Sequence, residues 1–98
     1  MMTDPRLLLL SPADTVYVLR DQIAAGETVM VEGLAVSFPH ALGLGHKIAR
    51  LPVAAGDRVI KYGAPIGRAT RAIAVGDHVH LHNLRSDYTP SYALNGGA

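Results

Sequence analysis

A chain of 98 residues accommodates one small domain, and a hydrophobic fraction of 49% gives it a real core to bury, which argues against disorder. Its net charge of +1 with neutral histidines is too balanced for a partner such as nucleic acid or an anionic membrane. The absence of cysteine excludes disulfides, thiolate metal sites and cysteine nucleophiles, and fits a cytoplasmic setting.

Residues 1–5 read as a flexible N-terminus. The apolar run Leu7 to Leu10 is too short to span a membrane. It reads as a buried strand, stopped by the turn-type cluster Ser11-Pro12-Ala13-Asp14. Thr15 to Arg20 is β-branched and aromatic, which predicts a second strand. Thr28 to Glu32 and Leu34 to Phe38 predict a hairpin about Gly33. Pro39 to Gly45 is a loop, and Gly45 to Ala49 is strand again. Arg58 to Lys61, Ile66 to Ala69 and His78 to Asn83 complete the strands, with Tyr62-Gly63-Ala64-Pro65 as a turn whose φ Pro65 presets. The polar stretch from Arg85 reads as a loose tail. No window of a dozen residues keeps an apolar helical period without Gly or Pro. The chain therefore predicts a compact, mostly-β domain with short strands and irregular Gly/Pro turns.

A short pattern recurs. Ile23-Ala24-Ala25-Gly26-Glu27-Thr28-Val29 matches Val53-Ala54-Ala55-Gly56-Asp57-Arg58-Val59, and both match Ile73-Ala74-Val75-Gly76-Asp77-His78-Val79. The glycine can take positive φ at a tight turn, and the acid can accept hydrogen bonds from turn amides. The spacings of 30 and 20 residues are unequal, so this is one turn device used three times and not a solenoid.

Chemistry concentrates in His78-Val79-His80-Leu81-His82-Asn83, which holds three of the five histidines. On a strand His78, His80 and His82 share one face, while Val79 and Leu81 face a core. Imidazoles bind first-row metals and titrate near neutral pH. Alternate residues lie roughly 6.5–7 Å apart, so three in a row hold one ion only with a twist or bulge. Two of them with a group from elsewhere, for instance His46, make a better site. The alternative is a solvated, hydrogen-bonded histidine edge. Gly45-His46-Lys47 can bind a carboxylate or simply begin a strand. Lys61, Tyr62 and Arg68 offer cationic and phenolic donors around a turn. There is no phosphate loop, dinucleotide fingerprint or nucleophile motif.

Taken in order, Gly45-His46-Lys47, Val59-Ile60-Lys61-Tyr62-Gly63, Ile66-Gly67-Arg68-Ala69-Thr70 and His78 to Asn83 resemble the SAF-type domain of the altronate/galactarate dehydratase family. That family includes sugar-acid dehydratases and the related sulfolactate sulfo-lyase. The resemblance covers residues 6–85 and implies a small β-clip fold, with residues 86–98 left as a C-terminal tail. It implies a small subunit, or an excised domain, working with a large dehydratase subunit that carries most of the active site. His46, His80 and His82 are then the catalytic candidates. Lys47, Lys61, Tyr62, Arg68 and Asn83 are candidates to bind substrate. His46, His78, His80 and His82 are candidate ligands of a divalent metal, Fe or Mn, held mainly by the large subunit. The substrate implied is a small hydroxy acid, and a homo-oligomer is allowed. Val31 to Leu44, including Phe38-Pro39-His40, matches no motif, and His40 reads as a loop residue. Three readings remain open: a subunit of a sugar-acid hydro-lyase inactive alone, a subunit of a sulfolactate-type carbon–sulfur lyase, and a non-catalytic metal- or ligand-binding β module.

Overall fold

The computed structural model describes residues 2–86. The C-terminal tail from residue 87 lies outside the described residues. Nine short strands follow one another: β1 (Leu7–Leu8), β2 (Val16–Leu19), β3 (Val29–Val31), β4 (Leu34–Val36), β5 (Lys47–Ala49), β6 (Arg58–Lys61), β7 (Ala64–Ala69), β8 (His78–Val79) and β9 (Leu84–Arg85). They form an antiparallel sheet in the order β1-β2-β5-β8, the hairpin β3-β4, and a sheet in the order β6-β7-β9. Among the described residues there is no helix, as the mostly-β reading requires.

The repeated turn organises the chain. Gly26, Gly56 and Gly76 take φ of 75°, 88° and 89°. The amide of Ala24 donates to Glu27 Oε1 at 3.0 Å and that of Ala74 to Asp77 Oδ2 at 2.9 Å. The structure adds a fourth copy, Leu42-Gly43-Leu44-Gly45-His46-Lys47-Ile48, with Gly45 at φ 85°. The four turns meet in two pairs, through the isolated bridges Ile23↔Leu42 and Val53↔Ile73. The hairpin tips match as well: Glu32-Gly33 and Tyr62-Gly63 all have positive φ, of 50°, 83°, 54° and 75°. This is the geometry of two-residue primed turns. The molecule is thus a duplicated unit folded over on itself, consistent with a β-clip.

Each unit has its own core. Leu7, Tyr17, Leu19, Ile23, Val29, Val31, Phe38, Leu42 and Ile48 form one; Val16, Ala49, Val53, Val59, Ala69, Ile73 and Val79 form the other. Neighbours Val16 and Tyr17 on β2, and Ile48 and Ala49 on β5, point to opposite faces. The paired β2 and β5 are therefore the wall between the cores, apolar on both sides. Asp14 is fully buried, its carboxylate accepting from the amides of Gly63 at 2.8 Å and Ser11 at 3.1 Å. Burial pushes its carboxyl up, but those amides and that of Tyr62 outweigh the effect and hold it below the usual range.

Several local expectations are corrected. Residues 2–4 hydrogen-bond to the β3-β4 hairpin: Asp4 N donates to Met30 O at 2.8 Å, Gly33 N to Met2 O at 2.7 Å, and Thr3 Oγ1 to Glu32 at 3.2 Å. Of the run Leu7 to Leu10 only Leu7 is buried, because β1 is an edge strand and its alternation turns Leu8 outward. Pro65 lies inside β7 opposite Ile60, at a register shift between Val59 and Ile60; it belongs to a bulge and not to the turn.

Candidate functional site

The histidine segment is not one strand. β8 ends at Val79, and residues 81–83 form a turn. Asn83 closes that turn from inside: its Oδ1 accepts from His80 N at 2.9 Å and its Nδ2 donates to His78 O at 2.9 Å. It is only 3% exposed, so both ends of the side chain serve the backbone and neither faces the imidazoles. Leu81, expected in the core, is 83% exposed because the turn swings it out of the strand alternation.

The break in the strand gathers the rings. Antiparallel pairing of β5 with β8 sets Ile48 opposite His78 and Lys47 opposite Val79. Continuing that register brings His46 to face His80. His46 occupies the place in its turn where the other three turns carry an acid. Its ring reaches across to His78 instead, with Nδ1 3.0 Å from His78 Nε2. One of the two nitrogens must donate, so the pair shares a proton. The His46 and His80 ring centroids are 5.5 Å apart, and His78 stacks on His80 at 5.4 Å with planes 9° apart. One nitrogen from each of His46, His78 and His80 lies within 4.8 Å of the others. His82 is 5.8 Å from His78 by centroids and outside that set.

The cluster separates two clefts. One, about 230 Å³, is lined by Leu44, Gly45, His46, Lys47 and His80. The other, about 310 Å³ and mainly apolar, is lined by Phe38, Pro39, His40, Leu42, His78 and His82. Phe38 meets the His78 ring edge-on at 6.4 Å. Burial, then the neighbouring His46, His80, His82 and Lys47, lower the His78 pKa to about 4. His78 is therefore neutral at pH 7. Burial, then Lys61, also lowers the Lys47 pKa, which puts the two lysines within electrostatic reach.

The other sequence candidates scatter. Tyr62 sits at a hairpin tip, 76% exposed, beside Lys61 at the end of β6. Arg68 lies on β7 and lines neither imidazole cleft; it borders a separate cavity with Gly56, Ala69, Thr70 and Arg85. Two features were missed. Phe38-Pro39-His40 is a wall of the apolar cleft, and no sequence signal marks it. The fourth turn was readable from the spacing Leu42, Gly45, Ile48, but histidine in the acid's place hid it.

Residues 5–87 match the family model described as the altronate/galactarate dehydratase SAF domain. The chain is 32% identical over 90 residues to an altronate dehydratase of Bacillus subtilis, covering 84% of the chain and 18% of that protein. It is 43% identical over 74 residues to an altronate dehydratase of Escherichia coli, covering 76% of the chain and 15% of that protein. It is 44% identical over 46 residues to the (2R)-sulfolactate sulfo-lyase subunit alpha of Chromohalobacter salexigens, covering 47% and 49% of the two. The chain thus spans less than a fifth of the altronate dehydratases it matches.

Proposed function

Since the chain belongs to the altronate/galactarate dehydratase SAF domain family, whose relatives are named as lyases, we propose that it serves a hydro-lyase that dehydrates a sugar acid of the altronate or galactarate type. A large catalytic portion supplies the rest of the active site. Support for that partner comes from relatives far longer than the matched region, and from the name "subunit alpha". The observation that carries the reading is the convergence of His46, His78 and His80 beside Lys47.

The reaction removes a proton α to a carboxylate and expels the β-hydroxyl, so that one water leaves and the enol becomes a 2-keto-3-deoxy acid. The obstacle is charge: the carbon to be deprotonated adjoins an anion, and the enediolate that develops needs positive charge beside it. The donor set fits a divalent first-row ion such as Fe or Mn. Imidazole donors on one ion, at bonds of about 2.1 Å, lie about 3.4 Å apart in a tetrahedral arrangement. The His46 and His78 nitrogens already lie 3.0 Å apart. When bound by His46, His78 and His80, the ion would supply Lewis-acid charge neutralisation. Lys47, lining the same cleft as His46 and His80, holds the substrate carboxylate. Lys61, within electrostatic reach of Lys47, extends that cationic rim. His82 lines the apolar cleft, across the cluster from Lys47, so the acid that gives a proton to the departing hydroxyl comes from the large portion. The base that takes the α-proton belongs to the large portion.

A carbon–sulfur lyase is the second reading, favoured by the 44% identity to the sulfo-lyase subunit. The test is to co-express the chain with its large catalytic partner and assay altronate, galactarate and sulfolactate. Release of a 2-keto-3-deoxy acid is expected. Release of sulfite from sulfolactate alone would assign the carbon–sulfur reaction. No turnover of any of them, with tight Mn²⁺ binding by the chain alone, would leave a non-catalytic module.

A further inference from the structure

The donor set of His46, His78 and His80 offers nitrogen alone. Among the described residues these are the groups whose ligand atoms all lie within 4.8 Å of one another, and no carboxylate belongs to the set. Neither cleft beside it has an acidic lining residue.

The oxygen donors nearest in sequence are committed elsewhere. Asp77, which precedes His78, accepts from Ala74 N through Oδ2 at 2.9 Å. Asn83 accepts from His80 N through Oδ1 at 2.9 Å. Each of these oxygens closes a turn that the fold needs. In the fourth turn, the position that carries an acid in the other copies is His46 itself.

Nitrogen donors bind divalent ions in the order Mn, Fe, Co, Ni, Cu, with Zn close below Cu, whereas Mn²⁺ suits carboxylate, carbonyl and water oxygens. Three neutral imidazoles also leave the ion's double charge uncompensated beside Lys47, which lines the same cleft as His46 and His80. An anionic oxygen would offset that charge and supply the harder donor. The side from which it can come is open: His80 is exposed, and so are Leu44 and Leu81 on the turns next to the set.

We propose that the chain alone is a three-imidazole site of the zinc type, and that it holds a ferrous or manganous ion only when a carboxylate of the large catalytic portion joins the set. The proposal rests on the lyase reading of the same site and specifies what the partner adds to it.

The full chain is titrated separately with Zn²⁺ and Mn²⁺, alone and assembled with its large portion. Binding is followed by calorimetry, and the Co²⁺ form is read by visible absorption. Alone, the chain is expected to bind Zn²⁺ at least ~100-fold more tightly than Mn²⁺. Assembly is expected to tighten Mn²⁺ binding at least ~10-fold. It is also expected to weaken the Co²⁺ bands, which are intense for a four-coordinate ion and faint for a six-coordinate one. His80→Ala is expected to lose both the Zn²⁺ binding of the chain and the Mn²⁺ gain on assembly, while His40→Ala keeps both. Mn²⁺ held as tightly by the chain alone as by the assembly would overturn the added carboxylate and leave the imidazole set standing. Zn²⁺ binding unchanged by His80→Ala would instead remove the imidazole set, and with it the ion of the lyase reading.

Discussion

At the scale of single residues, the histidines divide by environment. His78 lies beneath the others, between β5 and the edge of Phe38, and its pKa is about 4 against an ordinary 6.5. Between those values the unfolded chain binds a proton that the folded chain refuses. Stability from this group is therefore complete above about pH 6.5 and is lost as pH falls toward 4. In chelator, urea unfolding from pH 7 to 4.5 is expected to show that decline, and His78→Asn to flatten it. The depressed carboxyls of Asp4, Asp14, Glu27 and Glu32 act in a lower window, below their ordinary 3.8 to 4.5, so the two effects separate. A decline of equal size in the variant would remove His78 as its source. The sequence made His46 legible as a partner of the histidine segment. It could not show that Asn83 turns inward, because a turn amide and a substrate-facing amide look alike until the strand is seen to end at Val79.

At the scale of elements, the turn with a glycine at its fourth position is the working unit. Three copies were legible because each pairs an aliphatic residue with a Gly-acid step. The fourth launches β5 and carries His46 where an acid would cap the turn. That exchange frees the side chain to reach His78, so the turn gives its capping group over to the imidazole cluster. The two glycines of this turn have opposite needs. Gly45 has φ 85°, whereas a Cβ on Gly43 meets nothing within 4 Å and its φ is not left-handed. Gly45→Ala is expected to destabilise by about 1–2 kcal/mol, and Gly43→Ala to be neutral or to stabilise by about 0.4–1 kcal/mol. Denaturant midpoints measure both; equal costs would mean that the turn does not depend on its left-handed residue. The strand lengths were less legible. The apolar run at Leu7 was read as buried throughout, but an edge strand buries one face only, and composition does not reveal which strand is the edge.

At the scale of the whole molecule, two cores share one wall, and β5 in that wall carries Lys47 at the margin of the site. The imidazoles thus stand on the most buried part of the fold, while the tips beside them are open: Leu44 is 72% exposed next to His46, and Leu81 projects between His80 and His82. An arrangement that is rigid below and uncovered above is what a domain needs if a larger catalytic portion closes over it. The mostly-β class was legible from glycine and proline punctuation, but the duplication was not. The hairpins β3-β4 and β6-β7 share positive-φ tips yet have unrelated side chains, so their equivalence exists only in the backbone. The central claim is that His46, His78 and His80 act as one donor set in a sugar-acid lyase. The most direct test is altronate turnover and bound metal in the assembled enzyme carrying His80→Ala, with His82→Ala beside it. His80→Ala is expected to lower turnover at least ~100-fold and to lose metal in parallel, while His82→Ala keeps its metal. Wild-type turnover and metal content in the His80→Ala enzyme would contradict it.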